Sequence, residues 1–540
     1  MPSSVHTYEP AASPLAPVEG LLRELTSATI HIALGIALGL LAARAMRARH
    51  LHWSWAAIIF GVVLLARGVL GGGLVWLLGP AALSTARRSR RWHREDIDTG
   101  ADLATLAAGR SRPLDTLRRT ARWVRRLGEE GDRQTRSDPG RLLLGYDGAH
   151  RAVTISLGGV TGGAHALVLG ATRSGKTVTM TWIAAGAIER GMGAIVVDPK
   201  GDGDLRGALC ESARAAGRRF LEWSPSGLSV YNPYARGSET EIADRALAGE
   251  RFTEPHYLRQ AQRYLGHEVR VLRRAGVEVS LRALVEYLDP SELEVLARGL
   301  PGAEALPAHR YLDSLTVRQR SELTGVRDRL AILAESDVGS LLDPDTAGVQ
   351  RIDLLEAMRA SAVVYFGLES DRRPLLAQML GAAIVQDLQA TVAVLQEHRA
   401  PTLVAIDEFA AIAPERIVGL FARAGGAGVS LVLGTQEFAD LRLPGSERVR
   451  DQIVGNLSTL ISHRQAVPAS AELIASMTET VGAWKTSRHG DGGLTRARTF
   501  AHTLRAQQIT SLAQGWAAVI DLADGGRANV TRVCSMSRNH

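Results

Sequence analysis

The sequence predicts a mixed α/β protein: a parallel-rich central sheet flanked by helices, an all-helical insertion inside that core, and apolar N-terminal helices that cross a membrane. Three observations carry this. Short apolar runs alternate with helical stretches from Ala166 onward, the pattern of a parallel sheet covered on both faces. The strand signal then vanishes for about a hundred residues after Asp198. Two long apolar segments precede everything else.

Met1 to Thr26 is polar and acidic-leaning and lacks a basic leader, so it is not read as a cleavable signal. Ala28 to Ala43 is apolar except for His31, and Trp53 to Leu83 is apolar around Arg67 and Gly71-Gly72-Gly73. A pair of buried core helices is the competing reading; the window lengths favour membrane spans. Arg87, Arg88, Arg90, Arg91 and Arg94 outnumber Arg44, Arg47 and Arg49 and should stay cytoplasmic, placing both termini inside. Leu114 to Leu127 is a basic helical stretch that fits either anionic lipid heads or a solvated linker.

Leu142 to Leu144 and Ala152 to Leu157 form a β-hairpin around Gly145 and Asp147-Gly148. Core strands follow at Ala166 to Leu169, Ala194 to Val197, Ala362 to Phe366, Leu403 to Ile406, Ser430 to Leu433, Thr459 to Ser462 and Ala517 to Leu522. In the gap, Ser238 with Glu241 forms a capping box, Thr253 and Pro255 open a helix that Gly276 can close, and Ser280 starts another. The expected organisation is a tail (1–27), a membrane anchor (28–84), a basic linker (85–140), an α/β core in two parts (141–237 and 343–540) and an all-α insertion (238–342).

Two cysteines, Cys210 and Cys534, lie far apart without a C-x-x-C spacing, which argues against a disulfide framework and a zinc site. The formal charge of +7 fits nucleic acid or anionic lipid as a partner.

The chemistry starts at Gly170-Ala171-Thr172-Arg173-Ser174-Gly175-Lys176-Thr177, directly behind an apolar strand. This Gly-x-x-x-x-Gly-Lys-Thr spacing lets backbone N–H groups wrap phosphates, sends a lysine to the β and γ phosphates, and offers a hydroxyl to Mg²⁺. Lysine is otherwise scarce, with Lys200 and Lys485 the only others. ATP with Mg²⁺ is therefore the expected ligand. Leu403 to Glu408 supplies the matching acids: Asp407 on the magnesium side, and Glu408, expected to point the other way and polarise the attacking water. Asp198-Pro199-Lys200-Gly201-Asp202 lies at the carboxyl edge of the second strand. Gly434-Thr435-Gln436 ends another strand, where the Gln436 amide could sense the γ-phosphate or orient water.

With Asn232-Pro233 and Ile406-Asp407-Glu408-Phe409 added, the order of these motifs resembles that of TraG/TraD-type coupling proteins of type IV conjugation systems, in the HerA-FtsK branch of RecA-like motors. The resemblance spans roughly Gly145 to Arg532. It implies a RecA-like P-loop ATPase, a homo-hexamer tethered to the inner membrane and its lipid, with the ATPase in the cytoplasm. Such proteins pump DNA through phosphate contacts and pass it from the relaxosome to the secretion channel, and the helical insertion meets the relaxosome. It also implies an arginine reaching the neighbouring subunit's nucleotide, and Arg423 occupies that place, with Arg464 as the alternative. The relatives' tail-mediated docking is not expected, because the chain ends at His540 soon after the last strand. Three readings stay open: a conjugative DNA translocase, an FtsK-like plasmid or chromosome pump or protein-export ATPase, and a membrane adaptor that uses nucleotide only as a switch.

Overall fold

A computed structural model of the chain describes residues 16–48, 55–56, 58, 61–62, 72–98, 140–148, 150–158, 163–249, 254–343, 345, 349–412, 414–441, 447–488 and 494–536. They divide into two compact units, one of residues 1–130 with 480–501, the other of the remainder.

In the smaller unit, helix Ala16–Ala48 packs on helix Gly72–Asp98, and the Thr85 hydroxyl donates to the Gly39 carbonyl at 2.9 Å. Leu25–Met46 has a mean hydropathy of 1.9 and is long and apolar enough to cross a membrane. Its Ile30, Leu34, Leu38 and Leu41 are exposed, which in water would be a costly face. A second apolar crossing is not found among the described residues near the N-terminus. Most of the predicted segment Trp53 to Leu83 lies outside the described residues, and its end opens a helix that runs on into the arginines from Arg87. The basic stretch Leu114 to Leu127 also lies outside them. The same unit, through residues 480–501, contains most of a two-stranded sheet formed by Thr480–Arg488 and Leu494–His502.

The strands, in chain order, are β1 (Arg141–Asp147), β2 (Ala152–Ser156), β3 (Ala166–Leu169), β4 (Gly193–Asp198), β5 (Phe220–Trp223), β6 (Val230–Tyr231), β7 (Arg351–Ile352), β8 (Val363–Gly367), β9 (Thr402–Ile406), β10 (Val429–Thr435), β11 (Thr459–Ser462), β12 (Thr480–Arg488), β13 (Leu494–His502), β14 (Trp516–Asp521) and β15 (Arg527–Val533). Eleven of them form one sheet in the order β2-β1-β15-β14-β11-β3-β10-β9-β4-β8-β5. From β11 to β5 every pairing is parallel, and the β2-β1-β15-β14 extension is antiparallel. The predicted strands are all present. Within this sheet β5 and β15 were not anticipated, because neither forms a continuous apolar run: β5 alternates half-buried and buried positions, and β15 is mostly half-buried or exposed with polar residues throughout.

The two-residue period of the strands divides the core. Leu167, Leu169, Ile195, Val197, Val404 and Ile406 face one side, with helix Pro374–Leu395. Ala166, Val168, Ala194, Val196 and Leu403 face the other, with Met180, Ile183 and Ala187 of helix Lys176–Glu189. Helix Pro374–Leu395 is apolar enough to span a bilayer by composition, yet it is 72% buried and is a core helix.

Between β6 and β7 the described chain is helical: Glu239–Ala246, Pro255–Arg274, Leu281–Tyr287, Pro290–Arg298, Gly302–Asp313, Val317–Ala334 and a short 3₁₀ turn. Ser238 and Glu241 form the reciprocal capping box, and Ser280 accepts from the Ala283 N–H. Glu254 occupies the N-cap position of Pro255–Arg274 without a side-chain capping bond, Pro255 opens the helix as expected, and Thr253 lies outside the described residues. These helices are tied to core helix Pro374–Leu395 and to β6 by a buried polar knot. The Arg245 guanidinium pairs with Asp387 at 3.3 Å and donates to the Pro233 and Arg236 carbonyls, while the Tyr231 hydroxyl donates to Asp387 at 2.8 Å. Burial pushes the Asp387 carboxyl up to about 6, against the opposing pull of Arg245 and Tyr231.

Removing one member of a buried ion pair strands the other. Arg245→Met should therefore cost about 3–5 kcal/mol, read as a lowered thermal unfolding midpoint. Arg245→Met with Asp387→Leu should recover most of that loss.

Candidate nucleotide site

The carboxyl ends of the parallel strands converge on one point because their register is shared. Thr435 of β10 pairs with Leu169 of β3, and Leu433 of β10 with Ile406 of β9. β10 thus separates the strand that feeds the P-loop from the strand that feeds Asp407. Gly170 to Gly175 then turns into helix Lys176–Glu189. Gly175 sits at φ 113°, a left-handed conformation that suits glycine, and it provides no side-chain cap. The first-turn N–H groups of this helix have no intrahelical partner, and its first turn carries no acid. An uncapped, glycine-approached helix N-terminus fits a phosphate anion.

The Lys176 ammonium is buried and reaches both acids, pairing closely with Asp407 and with Glu408 Oε2 at 3.0 Å. Burial alone would lower Lys176, but Asp407 and Glu408 more than offset it and hold the ammonium above its ordinary value. Lys200 adds a second cation 3.7 Å from Glu408. The alternation expected of Asp407 and Glu408 does not continue here: β9 ends at Ile406, and Glu408 takes φ 44°. Both carboxylates therefore turn to the same lysine. A non-glycine residue at positive φ costs about 1–3 kcal/mol, which the paired lysines help to offset. Gly434 makes room for this group, since a Cβ there would stand 2.5 Å from both Asp407 Oδ1 and Met180 Sδ. With the Thr177 hydroxyl at the helix start, Asp407 offers the two-oxygen protein share that suits a mostly hydrated Mg²⁺.

Sequence reasoning missed what stands beneath the loop. His463, fully buried just past β11, shares a 2.8 Å bond between Nε2 and the Thr179 hydroxyl and a 3.0 Å bond between Nδ1 and the Trp516 carbonyl. Next to it, the Arg464 carbonyl accepts the Ala171 N–H at 3.1 Å, and the Gly515 N–H donates to the Ser174 carbonyl at 3.1 Å. The P-loop is braced by residues some three hundred positions away. The only sequence signal is a polar residue at the carboxyl end of a buried strand.

The remaining predicted residues fall in different places. Gln436 is half-buried at the end of β10, where its carbonyl accepts from the Gln465 side chain at 3.4 Å. Asp198 is buried, takes the Lys200 and Asp202 N–H groups and the Tyr365 hydroxyl, and so shapes the loop that carries Lys200. Arg464 is exposed. Arg423 is exposed in the last turn of helix Pro414–Ala424, before β10 begins. The length of β10, about 20 Å, separates it from the P-loop of its own chain. Thr172 and Arg173 are exposed at the loop crest, and Ala171 is half-buried below them.

Burial holds His463 down to about 4, opposed by the Trp516 carbonyl and aided by Lys176; burial likewise brings His165 to about 4. The folded protein then binds fewer protons than the unfolded chain below pH 6.5. This stability is complete above pH 6.5 and is lost as pH falls toward 4, at up to about 1.4 kcal/mol per pH unit for each histidine. His463→Gln should remove about half of that combined slope in unfolding curves recorded between pH 7 and 5.

Residues 401–514 match the family described as the TraM recognition site of TraD and TraG. A comparison with curated proteins found no match. Among solved structures, the bacterial conjugative coupling protein TrwBdeltaN70 superposes with a TM-score of 0.51 at 17% identity, over 69% of this chain and 85% of that one. The plasmid coupling protein TrwB in complex with ADP and Mg²⁺ gives 0.51 at 17% identity, over 69% and 86%. Its complex with the ATP analogue ADPNP gives 0.50 at 17% identity, over 69% and 86%. The resemblance read from the motifs is borne out as a similarity: residues 401–514 match that family's model, and the α/β core has the fold of these conjugative coupling proteins.

Proposed function

We propose that the chain is a membrane-anchored ATPase that works as a homo-hexamer, couples ATP hydrolysis to movement of DNA, and delivers that DNA to a type IV conjugation channel. The observation that carries the ATPase reading is the convergence of Lys176, Asp407 and Glu408 at the mouth of an uncapped helix behind a P-loop. Support for the cargo comes from the TraG/TraD family match and from the coupling-protein fold. The anchor (28–84) contains the apolar helix Leu25–Met46 in its larger part, the motor comprises 141–237 and 343–540 on the cytoplasmic side, and the insertion (238–342) faces the relaxosome.

In this reading the N–H groups from Gly170 to Thr177 hold the phosphates of ATP. Lys176 leaves the acids to meet the β and γ phosphates, which frees Glu408 to take a proton from the attacking water. Thr177 and Asp407 would hold Mg²⁺. The metal, when bound, offsets charge on the transferred phosphate. Gln436, at the end of the strand between the two motifs, orients that water or senses the phosphate. Arg423, too far from its own loop, serves the neighbouring subunit's nucleotide.

Two outcomes test the site. Lys176→Ala should abolish ATP turnover. Glu408→Gln should keep nucleotide binding while lowering turnover by about 10²–10⁴-fold, read by equilibrium binding beside steady-state phosphate release.

The cargo is tested separately. DNA should stimulate the ATPase of the full chain, and its binding should weaken steeply as salt rises. An unchanged rate with DNA, together with a raised rate on adding a secreted protein, would favour the export reading.

A further inference from the structure

Lys176, Lys200 and Lys485 are the only lysines in a chain that otherwise draws its strong cations from arginine, and the first two meet the same carboxylate. Both approach Glu408 at Oε2, Lys176 at 3.0 Å and Lys200 at 3.7 Å. Among the described residues no side chain bonds the other oxygen, Oε1. Lys176 is buried against Asp407 as well, whereas Lys200 is half-exposed and, among the described residues, has Glu408 as its one carboxylate.

The backbone that carries Lys200 is fixed on every side. Buried Asp198 accepts the Lys200 N–H at 3.0 Å, the Asp202 N–H at 2.5 Å and the Tyr365 hydroxyl at 2.9 Å. The Pro199 carbonyl accepts the Ser370 N–H at 2.6 Å, and Gly201 turns the chain at φ 74°. Asp202 then caps helix Gly203–Ala215 by accepting from the Asp204 and Leu205 N–H groups. A flexible four-carbon stem on such a post lets the ammonium follow Glu408 while the loop stays still.

Nucleotide binding changes what Glu408 needs. When Lys176 transfers to the β and γ phosphates, Glu408 loses its nearer cation just as a polyanion arrives beside it, and like charges at close range repel. A carboxylate left alone there is driven away from the γ-phosphate. We infer that Lys200 is a positioning residue for hydrolysis: it takes over Glu408 when Lys176 leaves, offsets the repulsion from the γ-phosphate, and holds Oε2 so that Oε1 faces the attacking water. The inference rests on Glu408 acting as the general base. Lysine suits this handover in an arginine-rich chain because its compact ammonium meets one oxygen as a point charge, whereas a guanidinium fork engages both oxygens and would close Oε1 to water.

The test is a double-mutant cycle on the full-length chain, read by phosphate release in single turnovers beside equilibrium binding of a non-hydrolysable ATP analogue and of ADP. Lys200→Met should lower the hydrolysis rate by up to about 10²-fold, the scale of a misplaced catalytic group, with both nucleotide affinities unchanged. Lys200→Gln, which keeps a polar end without the charge, should behave in the same way. In a Glu408→Gln background, Lys200→Met should cause no further loss, because a residue that acts only through Glu408 has nothing left to position. A loss of equal size in both backgrounds would overturn the inference, since Lys200 would then act independently of Glu408. Weaker binding of the ATP analogue with unchanged ADP affinity would also overturn it and make Lys200 a direct ligand of the γ-phosphate. Wild-type hydrolysis in Lys200→Met, with Glu408→Gln impaired, would reject the role of Lys200 and leave the general base standing. Wild-type hydrolysis in Glu408→Gln would remove the general base and this inference together.

Discussion

Three charges held at the carboxyl edge of one sheet organise this molecule. Lys176 is buried between Asp407 and Glu408, and none of the three would be stable there alone, because an unpaired buried charge costs several kcal/mol. Their meeting requires β3 and β9 to end close together along β10, which lies between them, and the parallel register supplies that: β9 ends at the level of Leu433 and β3 at the level of Thr435. It also requires a residue without a side chain at Gly434 and a turn at Glu408 that ordinary strand geometry does not give. A lysine held by two acids is a lysine that a polyphosphate can take over.

The rest of the fold keeps this arrangement rigid from several directions. The loop is supported through His463, Arg464 and Gly515, which flank a long excursion of the chain between β11 and β14. The helical insertion is joined to the core through Arg245 and Asp387 on helix Pro374–Leu395. The helical insertion and the core helix therefore share short, buried polar contacts. Such contacts are costly to break singly, so they specify how insertion and core fit together.

Much of this was legible in the sequence because it depends on local pattern. Short runs such as Ala-Leu-Val-Leu and Thr-Leu-Val-Ala-Ile are buried on both faces, and that makes a strand visible without knowledge of its neighbours. The Ser238 capping box and the Gly170 to Thr177 spacing are likewise complete within a few residues. What stayed hidden depends on the tertiary fold. β5 ends the sheet and β15 lies in its antiparallel part, so neither is buried on both faces and neither shows a continuous apolar run. His463 acquires its role only when β11 is placed beside β3. Asp407 and Glu408, read as a strand pair, were expected on opposite faces, and the backbone turn that brings them together leaves no trace in residue type.

The most direct test of the site is a crystal structure of the protein with a non-hydrolysable ATP analogue and Mg²⁺. The account predicts that the Lys176 ammonium moves from the two carboxylates onto the β and γ phosphate oxygens, with Thr177 and Asp407 at the metal and Glu408 released toward the γ-phosphate. A nucleotide bound elsewhere, with Lys176 still paired to Asp407 and Glu408, would contradict it.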